Sequence, residues 1–374
     1  MDYPEVDIDI AKVATQAKEL SSHSWEYGTA AEAILELSNR DLSVYSKTPF
    51  PSNGVPTSNV DEVASLQDVK PHIRLDSNTL IEDKWGVADP AALGVSSILI
   101  GQSNPAYLHA ARRQATYLVH EAPRFGGPHN AISHRKDVLE VWADFMYMVP
   151  PFLAYFSVAA EDATWMKEAL AQCRAYRDAL ATKSTGLDQG LWHHIAGPQN
   201  GDLGYWCTSN GWVAAGLVRV LATLKGWEET REWAGEMQEL RQMAREILDG
   251  AICTDSRSRE VALLPNYLHS QDAEPWADDV SGTALLASVV YRLAMLEPEV
   301  FEGTSERAGM RYLEWAERKR RAVFASVDPE TGIAKPAVNP LKHKQREPLT
   351  TGSPEGQAFV VGLWAAWRDW RGVV

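Results

Sequence analysis

The chain has 374 residues, 45% of them hydrophobic and 23% charged, which is enough apolar surface for one large core or two ordinary ones. Its formal net charge of −14 argues against nucleic acid and anionic membrane surfaces, which repel an acidic protein, and leaves a small molecule as the expected partner. The N-terminus, MDYPEVDIDIAKVA, has no basic stretch ahead of an apolar run, so no secretory signal is expected and the cytoplasm is the default compartment. Cys173, Cys207 and Cys253 have neither disulfide nor metal spacing. A monomer or homodimer is expected.

Helical periodicity dominates, and strand-like alternation is almost absent. In chain order the pattern predicts helices over 6–21, 25–39, 89–101, 104–121, 140–157, 161–181, 210–225, 228–250, 278–296, 305–324 and 354–370. Most pair across short breaker turns, GQSNP at 101–105, AAED at 159–162, KGWE at 225–228 and EPEVFEG at 297–303. The apolar run 146–155 is too short and too Pro-interrupted to span a bilayer. Helix hairpins repeated this often predict a closed or stacked all-α array. The loops leading into the pairs (50–84, 183–209, 254–277, 326–353) are much longer than the turns within them. Function is therefore expected at the starts of the first helices, with the Pro/Ser/Asn-rich segment 50–84 suited to fold over a pocket as a lid.

Those starts share small or acidic polar residues: Asp89-Pro90, Asp144, Ser209-Asn210, Asp278-Asp279 and Ser353-Pro354-Glu355. One reading is N-capping, which Asp89-Pro90 and Ser353-Pro354 fit best because Pro follows in the first turn. The other is a ring of polar groups around a shared mouth. Asp144 fits capping less well, since the stripe Val138, Val141, Trp142, Phe145 and Val149 suggests a helix already under way.

Asp144 lies among Trp142, Phe145, Met146 and Met148, just behind His129 and His134. Burial favours the neutral acid and suits it to donate a proton, whereas a nearby helix N-terminus favours the anion. A purely structural pairing with Arg135 or a backbone N–H is the competing expectation. The histidines at 129, 134, 193 and 194 sit in loops without a metal-ligand spacing, so hydrogen bonding to substrate or to a neighbouring loop is expected, and no metal or cofactor. No GxSxG or Cys/His signature supports a nucleophile. Five of the fourteen tryptophans, Trp85, Trp142, Trp206, Trp212 and Trp276, fall at loop-to-helix junctions, where most such rings pack and some stack on a flat ligand.

Six pieces in collinear order carry a family resemblance: Trp25-Glu26-Tyr27-Gly28; Asp89 ahead of Gly94; His134-Arg135 leading to Trp142, Asp144, Tyr147-Met148 and Pro151-Phe152; Gly190-Leu191-Trp192 with His194; Trp206 with Asn210-Gly211-Trp212; and Ser281-Gly282-Thr283-Ala284. Together they resemble unsaturated rhamnogalacturonyl hydrolases of glycoside hydrolase family 105 and the related family 88. The resemblance implies a single-domain (α/α)6 barrel, a six-hairpin glycosidase fold with its pocket at the N-terminal ends of the inner helices. It also implies hydration of the 4,5-double bond of an unsaturated uronyl sugar at the end of an oligosaccharide, without a metal, with Asp144 as general acid/base and Asp89 assisting. His134, His194, Trp206 and Trp212 match pocket positions, and His129, Arg135, Trp142, Met148, Asn210 and Trp276 complete the expected substrate-binding set. One departure stands out: relatives carry Arg between the tryptophan and the Asn-Gly-Trp element, whereas Cys207-Thr208-Ser209 offers no cation. Two other tasks on the same scaffold are therefore carried as alternatives: a biosynthetic cyclase, pericyclase, lyase or dehydratase acting on an apolar metabolite, and a non-catalytic binder.

Overall fold

The computed structural model describes residues 7–126 and 130–372. Its helices are α1 (Ile10–Leu20), α2 (Ser24–Ser38), α3 (Ala64–Val69), α4 (Gly94–Gly101), α5 (Pro105–Thr116), α6 (Phe145–Ala160), α7 (Ala163–Leu180), α8 (Cys207–Gly226), α9 (Ala234–Thr254), α10 (Val280–Leu296), the single turn α11 (Pro298–Phe301), α12 (Tyr312–Ala325) and α13 (Pro354–Arg371). A 3-10 stretch, Asp89–Leu93, runs directly into α4.

The packing closes on itself. α2 lies against α13, α13 against α10, α10 against α8, α8 against α6, and α6 against α4 and its 3-10 lead-in, which returns to α2. Outside this ring, α3 covers α2, α5 covers α4, α7 covers α6, α9 covers α8, α12 covers α10, and α1 covers α13. The fold is all-α, six inner and six outer helices, with the first helix supplying the partner of the last. The inner helices α6, α8 and α10 are buried along nearly their whole length and the outer α7 and α9 along one stripe, the burial expected of a two-layer ring.

Close approach of α6 and α8 follows from two residue choices. Pro150, inside α6, has no N–H to give the carbonyl of Met146, and Gly216 of α8 lies against that carbonyl so tightly that a Cβ would sit 1.9 Å from its oxygen. One end of the barrel is sealed by buried charges. Arg219 of α8 pairs with Glu32 and Glu36 of α2, and Arg292 of α10 bridges Glu36 and Asp369 at 2.8 and 2.7 Å.

At the other end, where the inner helices begin, two-residue strands fasten the long loops to one another. Val141–Trp142 pairs with Ile195–Ala196, Tyr205–Trp206 with Tyr267–Leu268, and Leu264–Pro265 with Asp278–Asp279. Segment 50–84 carries α3 and runs the length of the barrel: the Asn53 side chain accepts from the amide of Glu228 beyond the end of α8, while Asp83 meets Gly86 beside Asp89. No helix among the described residues is long and apolar enough to cross a membrane.

Candidate active site

Asp144 stands at the N-cap position of α6, and its side chain makes no capping bond. This corrects the expectation of a helix over 140–157, because 141–142 form a strand and α6 starts at Phe145. The strand residues Val141 and Trp142 fall at helical spacing from Val138, Phe145 and Val149, which extends the apparent stripe back past the true start of α6. Nor does Arg135 pair with Asp144: its guanidinium holds Asp137 through Nε and Nη2, both at 2.9 Å. Asp144 Oδ1 is buried without a hydrogen-bond partner among the described residues. Oδ2 lies 3.6 Å from His194 Nε2.

The strand pairing explains that meeting, since the amide of Ala143 donates to the carbonyl of His194 at 2.9 Å. Behind the imidazole, His194 Nδ1 lies 3.0 Å from Asp202 Oδ2, which also accepts the Tyr267 hydroxyl at 2.5 Å. Burial favours the neutral ring, but the carboxylates of Asp144 and Asp202 outweigh it and hold the His194 pKa above its usual value. Asp202 is likewise opposed by its own burial, yet His194 and Tyr267 keep its carboxyl well below the ordinary range. The result is a line Asp144, His194, Asp202, Tyr267 that fixes the histidine ring against the pocket.

A second pair faces it. Asp89 makes no cap bond at the head of its 3-10 stretch, contrary to its expected role as a cap; instead Oδ1 lies 3.5 Å from His134 Nε2. Burial, reinforced by Asp83 and Asp144, pushes the Asp89 carboxyl well above the usual range, which favours its protonated form. Burial also lowers His134 to about 4, leaving it neutral. The His134 ring stacks on Trp142 with centroids 4.9 Å apart and planes 9° from parallel. Trp142 is held in turn by its Nε1–H bond to Glu140 at 2.9 Å, and Glu140 also receives the amides of Gln199 and Asn200.

The opposite wall comes from distant loops. Trp206 lies 4.5 Å from the His194 ring, anchored by its Nε1–H bond to Asn266 at 2.7 Å. His343 lies 4.5 Å from the same imidazole, held by the Asn266 amide donating to its carbonyl. Trp276 forms the rim, packed on Tyr267 and covered by Arg346 at 3.8 Å. Ligand atoms of His194, Asp202 and His343 lie within 4.8 Å of one another. Asp202 Oδ2 already accepts from His194 and Tyr267, and the Lys344 ammonium lies 3.7 Å from its Oδ1; that donor set orients a histidine and does not form an open cation shell.

Several expected pocket residues serve elsewhere. Trp212, expected at the pocket, is buried a turn and a half into α8, edge-on to Tyr147 and Phe359 at 4.6 Å each, and packs between the inner helices. Asn210 spends its amide on the backbone of Trp192 and Trp206. Met148 is enclosed in the core of α6, Arg135 lies over the exposed Trp85 ring, and His129 lies outside the described residues. Thr208, in the span that lacks a cation, donates to Asp279 at 3.0 Å. Asp279 is the working N-cap of α10, accepting from Ser281, Gly282 and Val338 amides. Asp202, Tyr267, Asn266, His343 and Glu140 are not among the expected residues, since each reaches the site through loop pairing that leaves no periodic trace. A separate polar cleft of about 850 Å³, lined by Arg177, Arg245, Glu246 and Arg307, lies beside α7 and α9, away from these groups.

The family model for Glycosyl Hydrolase Family 88 matches residues 92–290, more than half of the chain. The chain belongs to Glycosyl Hydrolase Family 88. The matched Family 88 region includes Asp144, His134, His194, Asp202, Trp206 and Tyr267, and begins just after Asp89. Among curated proteins the chain is similar to the unsaturated rhamnogalacturonyl hydrolase YesR of Bacillus subtilis (strain 168), 29% identical over 126 residues, a stretch spanning 32% of this chain and 36% of that relative. Solved structures share the fold across the whole length. One, described as a possible member of the GH105 family from Klebsiella pneumoniae subsp. pneumoniae MGH 78578, superposes with a TM-score of 0.71 at 16% identity, covering 100% of this chain and 96% of the other. An unsaturated glucuronyl hydrolase specific for heparin gives 0.63 at 13% identity, with 97% and 96% covered.

Proposed function

We propose that this Family 88 protein hydrates the 4,5-double bond of a terminal unsaturated uronyl residue and so releases the sugar to which it is joined. Asp144 carries the reading: a carboxyl at the mouth of the barrel, uncommitted through Oδ1 and steadied through Oδ2 by His194. In the proposed sequence the Asp144 carboxyl gives its proton to C4, and the positive charge at C5 is shared with the ring oxygen. Water adds to C5, returning its proton to the Asp144 carboxylate. The hemiketal opens by breaking the bond from C5 to the ring oxygen, which leaves a ketone at C5 and a hemiacetal at C1. Collapse of that hemiacetal expels the second sugar with its proton and leaves an aldehyde. One water is consumed overall.

One acid/base suffices for this hydration, in contrast to the spaced carboxylate pair of ordinary glycosidases. Asp89, whose protonated form burial favours, donates a hydrogen bond to a sugar hydroxyl, and the half-buried ring of Trp142 lies against the flattened sugar. Asp144 Oδ1, His134 Nδ1 and Ser281 Oγ are buried without partners among the described residues, and such atoms call for a polar ligand rather than an apolar metabolite. The test is loss of the conjugated-alkene absorbance on adding a panel of unsaturated uronyl disaccharides. Turnover of at least one supports the proposal; inertness toward all of them removes it.

A further inference from the structure

Glu355 is the second residue of α13, an inner helix of 18 residues, and its side chain is buried. Oε1 accepts the Trp25 indole N–H at 2.7 Å, while Oε2 has no partner among the described residues. Ser281, the second residue of α10, is fully buried, and its hydroxyl is likewise unpartnered. Ser281 adjoins the residue after Glu355: α10 packs on α13, and a Cβ at Gly356 would meet Ser281 Oγ at 2.9 Å. Both lie at the end of the barrel that carries Asp144.

We propose that the Glu355 carboxyl and the Ser281 hydroxyl together receive the substrate's carboxylate at the N-terminus of α13. This rests on the uronyl reading above. A buried anion on the Asp144 side of the barrel needs donors, and an acid O–H paired with a carboxylate forms one of the stronger hydrogen bonds available. The α13 N-terminus adds favourable potential. Asp279 already takes the amides of Ser281 and Gly282, so α10 contributes the hydroxyl and not its backbone. The charged groups facing Glu355 are Asp144 of α6, Glu26 of α2 and Asp279 of α10; burial first, then these, hold its carboxyl well above the usual range. Once ionised, Glu355 repels the substrate, so binding weakens as pH rises through its titration. The Thr208 span then needs no cation. Lys344, exposed and 3.7 Å from Asp202 Oδ1 behind His194, is the competing candidate.

The experiment measures binding of an unsaturated uronyl disaccharide and of its methyl ester to the full chain by titration calorimetry. It uses an Asp144→Asn background so that nothing turns over, with Glu355→Gln, Glu355→Ala, Ser281→Ala and Lys344→Met added singly. Glu355→Ala and Ser281→Ala are expected to weaken the free acid by roughly tenfold, the scale of a hydrogen bond to a charged group, and the ester by less than about twofold. Glu355→Gln, which keeps a neutral donor, is expected to abolish the loss of affinity at rising pH. Retention of that loss in Glu355→Gln, equal effects on acid and ester, or a charge-selective loss in Lys344→Met would each overturn the inference. Absence of turnover by the unsubstituted chain, with charge-selective binding retained, would sink the hydration reading alone.

Discussion

Lowering the pH from neutrality should destabilise the protein through His134 by an amount the site itself sets. The ring is buried, stacked on Trp142, and its pKa falls from 6.5 to about 4, burial being the largest cause. The unfolded chain therefore binds a proton between those values that the folded chain refuses. Stability conferred by this group is complete above pH 6.5 and is lost progressively as pH falls to 4, with no further change below. A tenfold change in proton affinity is worth about 1.4 kcal/mol, so the interval contributes roughly 3 kcal/mol. The assay is urea unfolding at pH steps from 7.5 to 3.5, comparing the chain with His134→Gln. Both are made in an Asp89→Asn background, so that the neighbouring carboxyl, whose pKa moves the opposite way, does not titrate. The unsubstituted ring should show the extra slope in that window and the glutamine should not. Coincident profiles would refute the claim that His134 is buried as a neutral ring.

Other substitutions follow from the same geometry. Arg292→Met removes the bridge between Glu36 and Asp369 but leaves Arg219 on the first and Arg40 and Arg368 on the second, and should cost about 1.5–3 kcal/mol in urea unfolding, the scale of a hydrogen bond to a charged group; a loss below about 0.5 kcal/mol would mean the remaining arginines satisfy both carboxylates. Gly216→Ala drives a Cβ into the Met146 carbonyl and should lower the melting temperature by overpacking worth roughly 1–3 kcal/mol, whereas Gly362→Ala, with open space at its Cβ, should leave it unchanged or raise it. Asp202→Asn removes one of the two carboxylates, with Asp144, that raise the His194 pKa above its usual value. It should lower kcat by about 10²-fold, the small end of acid–base effects, and shift the histidine limb of the pH profile to lower pH; an unmoved limb would argue against the coupling.

Much of the architecture is legible because it is written in local chemistry. Hairpin turns such as 101–105 and 159–162 carry Gly, Pro or helix-capping Asp, and the inner helices α6, α8 and α10 are apolar over most of their length. The boundary at Asp144 is misleading because strand residues Val141 and Trp142 fall in phase with the helix that follows them. α3 escapes detection: six residues inside a Pro/Ser/Asn-rich stretch are too few to show a period. The candidate site is half legible. Motif order finds Asp144, Asp89, His134, His194 and Trp206, but it also draws Trp212 and Asn210 into the pocket although their contacts lie in the core and on backbone. Asp202, Tyr267 and His343 are invisible to it, because two-residue pairings between remote loops, such as Tyr205 with Leu268, leave no pattern in the chain. Asp279 and Ser353, grouped with Asp89 and Asp144 as helix starts, are separated from them only by seeing which side chains are spent on backbone amides.

The central claim, that Asp144 supplies the proton to the alkene, is tested most directly by the rate of alkene disappearance in Asp144→Asn against the unsubstituted chain. The disaccharide used should be one the latter turns over, with circular dichroism confirming the fold. A loss of about 10³-fold or more in kcat, the scale of a removed general acid, is the predicted result. Retention of activity within about tenfold would contradict the account.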